Sequence, residues 1–200
     1  MKVIQIKGSN GSGKTTIAKQ LIELSNNPVE LKDDEGVYAT YMDDIGYAIL
    51  GAYPETSKMG GCDNMKSVAR IKAALLKTVD YCIEGDVWVV FEGMMISTIK
   101  STFYDYLLEL RESHDIEPMF VILRTDVDSC VERIKGRGTM RAKLNINNID
   151  TKCRMILRHA KEYDVSLVRY LNVDEIPLDR MMAEFVHLVG DIEMMELISD

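Results

Sequence analysis

Apolar residues recur along the chain with the spacings of both strands and helices. Short apolar runs predict five buried strands, at residues 3–6, 37–42, 87–91, 119–123 and about 166–171. Between them, apolar positions at three- and four-residue intervals predict amphipathic helices, most clearly from Met65 to Cys82. Strands that alternate with helices are typical of a parallel sheet covered on both faces. The pattern therefore predicts a single α/β domain over residues 1–200 with a five-stranded parallel sheet.

The stretch between the first strand and the first helix is rich in glycine. Residues 8–15 fit the phosphate-loop pattern G-x-x-x-x-G-K-[ST] at every fixed position. Glycines let backbone N–H groups approach an anion, and the following helix N-terminus adds a favourable dipole. Lys14 brings a positive charge to the β- and γ-phosphates and is a candidate catalytic residue, while the Thr15 hydroxyl is suited to holding Mg²⁺. We expect ATP and Mg²⁺ as cofactors, bound by Gly8, Asn10, Gly11, Ser12, Gly13, Lys14, Thr15 and Thr16.

Composition and charge narrow the class of protein further. Of the 200 residues, 46% are apolar and 28% charged, as in a soluble globular domain. The sequence has no apolar run of membrane-spanning length, no signal-peptide pattern and no C-x-x-C pair, so we expect a cytoplasmic protein with reduced thiols and no membrane partner. For the same reason, glycosylation at the sequon Asn10-Gly11-Ser12 is not expected.

Charge is distributed unevenly along the chain. The net charge of −8 argues against a generic nucleic-acid binder, yet residues 124–161 contain ten Lys and Arg against four Asp and Glu. A basic segment in an acidic protein indicates either phosphate handling at one place or a solvated helix face. The charge pattern leaves both interpretations open.

A phosphate loop alone does not distinguish a kinase from a GTPase or a regulatory NTPase. Residues 43–46 fit the D-x-x-G pattern of GTPases, but the chain has no N-K-x-D with which to bind guanine. A P-loop protein whose nucleotide state regulates a partner stays an alternative.

Over residues 1–171, the phosphate loop and the order of strands and helices resemble the thymidylate kinase-like group of P-loop nucleoside and nucleotide kinases. The resemblance implies a three-layer fold with a small mobile lid at about residues 136–148. It also implies that acidic residues after the second or third strand, here Asp43, Asp44 and Glu92, face the acceptor or the metal. Such a carboxylate can take a proton from the attacking oxygen or anchor Mg²⁺, which makes Glu92 a candidate metal ligand beside Thr15. For Asp43 and Asp44, helix capping is the alternative.

The same resemblance implies that arginines of the lid close over the phosphates. The candidates are Arg133, Arg137 and Arg141, which flank Gly136 and Gly138. Guanidinium groups suit a transferring phosphoryl group, whose negative charge is spread over several oxygens. The alternative is a solvated basic helix end.

Residues 50–53, 60–63 and 91–97 are similar to loops of small bacteriophage P-loop kinases that phosphorylate 5-hydroxymethyluracil bases within DNA. This likeness implies an acceptor pocket containing Gly60, Gly61 and Asp63, with Tyr53 available for stacking on the base. The acidic net charge departs from what DNA binding needs, because DNA affinity comes largely from neutralised phosphates. A free deoxynucleoside or deoxynucleoside monophosphate is therefore the alternative acceptor. The chain is also a candidate homodimer.

Overall fold

Seven strands of the described residues form one sheet in a computed structural model of the chain. The structure describes residues 1–54, 60–136, 145–174, 176–191 and 194–195. Across the sheet the strands follow the order β2-β3-β4-β5-β1-β6-β7. In chain order they are β1 (Lys2–Lys7), β2 (Val29–Asp33), β3 (Gly36–Met42), β4 (Tyr47–Leu50), β5 (Trp88–Glu92), β6 (Glu117–Arg124) and β7 (Val168–Asn172).

Most of the sheet is parallel. β4, β5, β1, β6 and β7 run parallel to one another, whereas β2 and β3 form an antiparallel hairpin and β3 pairs antiparallel with β4. The predicted α/β class is confirmed. The predicted count of five strands is wrong, since seven are present among the described residues, and the predicted strand at 37–42 is antiparallel. β4 is absent from the predicted strands because its four residues lie between Gly46 and Gly51, and so short a segment between two glycines is typical of a loop.

Helices cover both faces of the sheet, which makes three layers. α2, α4 and α6 pack on one face, and α1 and α7 pack on the other. Alternate residues of β1 reach the two cores, so that Val3 lies in the first and Ile4 in the second. The helices are α1 (Lys14–Leu24), α2 (Val68–Cys82), α3 (Met94–Thr98), α4 (Ser101–His114), α5 (Val127–Gly136), α6 (Ile146–Ala160) and α7 (Leu178–Val189).

The parallel strands bring two sequence-distant segments together at one edge of the sheet. Ile6 of β1 is in register with Glu92 of β5, so the phosphate loop begins beside the end of β5. The carboxyl edge of a parallel sheet is where ligands bind in open α/β folds. In the described residues, no helix has the length and apolar character needed to cross a membrane.

Candidate active site

The phosphate loop wraps closely around the start of α1. Gly11 and Gly13 have positive φ angles of 83° and 100°, a conformation that favours glycine. A Cβ atom on Gly11 would lie 2.5 Å from the carbonyl oxygen of Cys130, so the loop passes α5 without space for a side chain. The buried Ser12 Oγ has no hydrogen-bond partner among the described residues. The narrow glycine-lined loop and its spare hydroxyl fit a phosphate group.

Lys14 is buried at the first position of α1, and its ammonium group lies within the loop. Its Nζ donates hydrogen bonds of 2.9 Å to the carbonyl oxygens of Gly8 and Ser9. These contacts keep the positive charge beside the loop's backbone. A phosphate bound there would meet the charge that the motif predicts.

Glu92 lies at the end of β5 with 1% of its surface exposed. Its Oε1 accepts hydrogen bonds from the Thr15 hydroxyl at 3.0 Å and from the Tyr53 hydroxyl at 3.4 Å. Burial raises the pKa of Glu92 to about 6, while the charge of Lys14 and the Thr15 hydrogen bond oppose that rise. The structure thus brings together the two residues predicted to hold a metal.

The predicted acceptor residues Gly60 and Asp63 line the same cavity as the phosphate loop. This cavity has a volume of about 160 Å³ and also includes Glu92 and Met94 in its wall. The Asp63 carboxylate accepts backbone hydrogen bonds from Met94 (2.8 and 2.9 Å) and Met95 (3.3 Å) at the start of α3. Asp63 therefore fixes the start of α3 against the wall of this cavity.

Tyr53 and Gly61 pack directly against Glu92. A Cβ atom on Gly61, whose φ is +67°, would lie 2.7 Å from both Glu92 Oε1 and the Tyr53 hydroxyl. The Tyr53 ring lies against Gly60, where a Cβ atom would come within 2.6 Å of its Cδ1. In this arrangement the Tyr53 hydroxyl orients Glu92. The stacking of the Tyr53 ring on a base stays a prediction.

Asp43 and Asp44 lie at the opposite edge of the sheet, and the prediction that they face the acceptor or metal is wrong. They follow Met42, which pairs with Tyr47 and, through it, with Trp88 at the start of β5. At about 3.3 Å per residue, the edge at Trp88 is roughly 13 Å from the edge at Glu92. Their carboxylates have structural roles: Asp43 accepts from the Tyr41 hydroxyl, and Asp44 from Ser25 and the Asn26 backbone.

Of the three predicted arginines, the described residues include Arg133. Arg133 lies on α5 and donates to the carbonyl oxygen of Val173, and it does not line the phosphate-loop cavity. Arg137, Arg141 and most of the predicted lid at 136–148 lie outside the described residues. Thr16 lies in the first turn of α1, also away from the cavity wall.

Sequence reasoning missed three residues around the cavity. Met94 lines it directly, and the Ser97 hydroxyl accepts a 3.4 Å hydrogen bond from the backbone N–H of Gly8. Lys7 is buried directly before the loop. Met94 and Ser97 lie in the segment 91–97 that resembles phage kinase loops, but the chemistry of a methionine or a serine there indicates no particular role. Lys7 lies one residue past the predicted strand at 3–6, where a lysine is usual at the start of a loop.

Phosphoryl transfer is the chemistry that a phosphate loop, a lysine and a buried carboxylate at one sheet edge can support. Fold and site together are those of a P-loop protein. A sequence model described as "5-hmdU DNA kinase" matches residues 2–168, and the chain belongs to this family. The predicted resemblance and the predicted enzyme class are thereby confirmed.

Several bacteriophage relatives carry the same description, 5-hmdU DNA kinase. The Bacillus phage SP10 protein is 28% identical over 164 residues, which are 80% of this chain but 25% of that protein. The Pseudomonas phage PaMx11 protein is 27% identical over 182 residues, covering 86% of this chain and 90% of the relative. The Pseudomonas phage M6 protein is 31% identical over 148 residues, with coverages of 69% and 73%. The chain thus spans a quarter of the SP10 protein and most of the other two.

Solved structures are also similar to this chain. Deoxyadenosine kinase from M. mycoides with bound dATP is 15% identical, with a TM-score of 0.48 and coverage of 96% of this chain and 100% of that one. A gluconokinase from Sinorhizobium meliloti 1021 is 16% identical, with a TM-score of 0.46 and coverages of 99% and 95%.

Proposed function

We propose that this chain transfers the γ-phosphate of ATP, with Mg²⁺, to the hydroxymethyl group of 5-hydroxymethyluracil in DNA. The observation that carries the proposal is the shared cavity: the phosphate loop, Glu92 and the acceptor residues Gly60 and Asp63 form one wall. Membership of the 5-hmdU DNA kinase family supports the choice of acceptor.

The residues of the cavity have complementary roles in this proposal. Backbone N–H groups of the loop bind the phosphates, and Lys14 exchanges the carbonyl oxygens of Gly8 and Ser9 for phosphate oxygens. Thr15 and Glu92, whose oxygens are 3.0 Å apart, are suited to holding Mg²⁺, which neutralises the negative charge that develops during transfer. Glu92 lines the same cavity as the predicted acceptor residues Gly60 and Asp63, which suits it to receive or orient the hydroxymethyl proton.

An acceptor inside DNA makes two demands on the protein. The base has to leave the stack to reach a cavity of this kind, at a cost of a few kcal/mol. The flanking phosphates also need cations, which an acidic chain supplies only locally. We propose the basic segment 124–161 for this role, including the exposed Arg158 and Lys161 at the end of α6. The host cytoplasm is the proposed place of action, and the homodimer stays a prediction.

Mass analysis of the product tests the proposal. A single-stranded oligonucleotide with one 5-hydroxymethyluracil and a matched one with thymine are each incubated with ATP, Mg²⁺ and the protein. We expect the first to gain one phosphoryl group and the second to remain unchanged, because thymine lacks the hydroxyl oxygen. Lys14→Ala controls for contaminating kinases, and it is expected to lose most of the activity.

Other outcomes would select the alternatives. Phosphorylation of free deoxynucleosides or deoxynucleoside monophosphates, with both oligonucleotides unchanged, would make this a kinase of free nucleotides. Hydrolysis of ATP with no phosphorylated acceptor would favour a regulatory NTPase.

A further inference from the structure

Lys7 is a fully buried cation at the end of β1, directly before the phosphate loop. Its side chain has no exposed surface, and its Nζ donates to the Tyr163 hydroxyl at 2.8 Å and to the carbonyl oxygens of Ile99 and Ile96 at 3.4 and 3.5 Å. Burial lowers its pKa from 10.5 to about 7. In the part of the chain that the structure describes, it forms no ion pair with a carboxylate. An ammonium group buried in this way disfavours folding. We therefore expect its contacts to serve a purpose other than stability.

The contacts of Lys7 hold the C-terminal end of α3. The last carbonyl oxygens of a helix have no partner within it and carry partial negative charge, so a cation stabilises them. Gln5, two residues earlier on the same face of β1, donates a second side-chain hydrogen bond to the Ile96 carbonyl at 3.3 Å. α3 is therefore tied to the strand that carries the phosphate loop.

The other end of α3 continues from Glu92. Glu92 is followed by Gly93 and then by Met94, the first residue of the helix, whose N–H binds Asp63. A helix of five residues is too short to be stable by itself. Its position depends on the contacts at its two ends, and only Gly93 separates it from Glu92 at the end of β5. Lys7 provides the contacts at one end and Asp63 those at the other.

We propose that Lys7 is a positioning residue, whose buried ammonium group holds α3 against β1 and thereby keeps Glu92 aligned with Thr15 and the phosphate loop. The inference rests on the proposed role of Glu92 in the kinase reaction. Lys7 does not line the phosphate-loop cavity, so its effect on the reaction would pass through α3.

The test replaces Lys7 by an apolar side chain of similar length, Lys7→Met. Lys2→Met is a matched control, because Lys2 lies on the same strand and donates a 2.6 Å hydrogen bond to the Val189 carbonyl at the end of α7. Two quantities are measured: kcat and KM for ATP in the transfer assay, and amide hydrogen exchange of residues 93–98 in the metal-free protein.

We expect Lys7→Met to lower kcat by on the order of tenfold or more, because small displacements of reacting groups cost this much. KM for ATP should change less than kcat, since the backbone donors of the loop remain. Exchange at residues 93–98 should become faster in Lys7→Met alone. Lys2→Met should match the wild type in kcat and in exchange at these residues.

A kcat close to that of the wild type, or unchanged exchange at residues 93–98, would overturn the proposal. Tyr163→Phe removes one acceptor of the Lys7 hydrogen bonds with little change of shape, and it decides the matter if Lys7→Met does not fold. It should shift kcat and exchange in the same directions by a smaller factor, and wild-type values for both would also overturn the proposal. If the wild-type protein phosphorylates no offered acceptor, the proposed function fails, while hydrogen exchange alone still decides the role of Lys7 in holding α3.

Discussion

Lys7 should make the protein less stable at neutral pH than a methionine at the same position would. Burial lowers the pKa of this lysine from 10.5 to about 7, so the folded state binds its proton less tightly than the unfolded state does. For such a group the cost to folding is fully present below pH 7. It is relieved as the pH rises towards 10.5, because the folded protein then contains a neutral amine.

The expected magnitude follows from this pKa. Each tenfold change in proton affinity corresponds to about 1.36 kcal/mol, so the cost of the charged Lys7 is on the order of 4–5 kcal/mol at pH 7. Between pH 7 and pH 10, roughly 3 kcal/mol of this cost should disappear. Methionine avoids the cost but loses the hydrogen bonds to Tyr163, Ile99 and Ile96, each worth about 1 kcal/mol. We therefore expect Lys7→Met to be more stable than the wild type by about 1–2 kcal/mol at pH 7.

Urea unfolding of both proteins at several pH values between 7 and 10 measures this difference. His159 and Tyr163 face Lys7, but burial lowers the pKa of the first and raises that of the second, so both stay neutral in this range. The stability advantage of Lys7→Met should therefore shrink steadily as the pH rises. A difference in unfolding free energy that is constant with pH, or a variant that is less stable at pH 7, would refute the reasoning.

Three further predictions concern the site itself. Gly61→Ala should lower kcat by on the order of tenfold, because its Cβ atom would come within 2.7 Å of Glu92 Oε1. Gly46→Ala is the control in a turnover assay, because Gly46 has a similar φ of +70° but a Cβ atom there would meet open space. Equal losses of kcat in the two variants would show that backbone strain alone is responsible. For the wild type, kcat/KM should rise as the pH increases through about 6, where the buried Glu92 carboxyl ionises in the metal-free protein, and Mg²⁺ should move the midpoint lower by favouring the carboxylate. Glu92→Gln should lack this rise, and a retained midpoint in the variant's pH profile would assign it to another group. Asp43→Asn and Asp44→Asn should retain turnover within about twofold, because single surface substitutions away from a site have small effects, and a large loss in either would contradict their position at the far edge.

The phosphate loop was predictable because its chemistry lies in eight consecutive residues. Gly11, Gly13 and Lys14 lie in the loop or at the start of α1, as the motif indicates. The position of Glu92 beside the phosphate loop was predictable for a related reason: a continuous apolar strand ends there, and the ends of parallel strands meet at one edge.

The direction of a strand, by contrast, depends on partners that are distant in sequence. Val37–Met42 has the composition of a strand, but nothing local indicates that β4 separates it from β5 and that it runs antiparallel. The error about Asp43 and Asp44 follows from that single difference. Lys7 was not predictable, because it lies one residue past the predicted buried strand at 3–6, where a polar residue is usual at the start of a loop, whereas β1 extends to Lys7 and helices bury both of its faces.

Transfer of labelled phosphate tests the central claim most directly. The protein is given γ-labelled ATP and Mg²⁺ in three parallel reactions, each with one acceptor. The acceptors are an oligonucleotide that contains 5-hydroxymethyluracil, the free deoxynucleoside of 5-hydroxymethyluracil and the monophosphate of that deoxynucleoside. The account predicts that the label enters the oligonucleotide and is recovered on the modified base after digestion to nucleosides. Label that enters only the free nucleoside or its monophosphate would contradict the claim that the acceptor is a base within DNA.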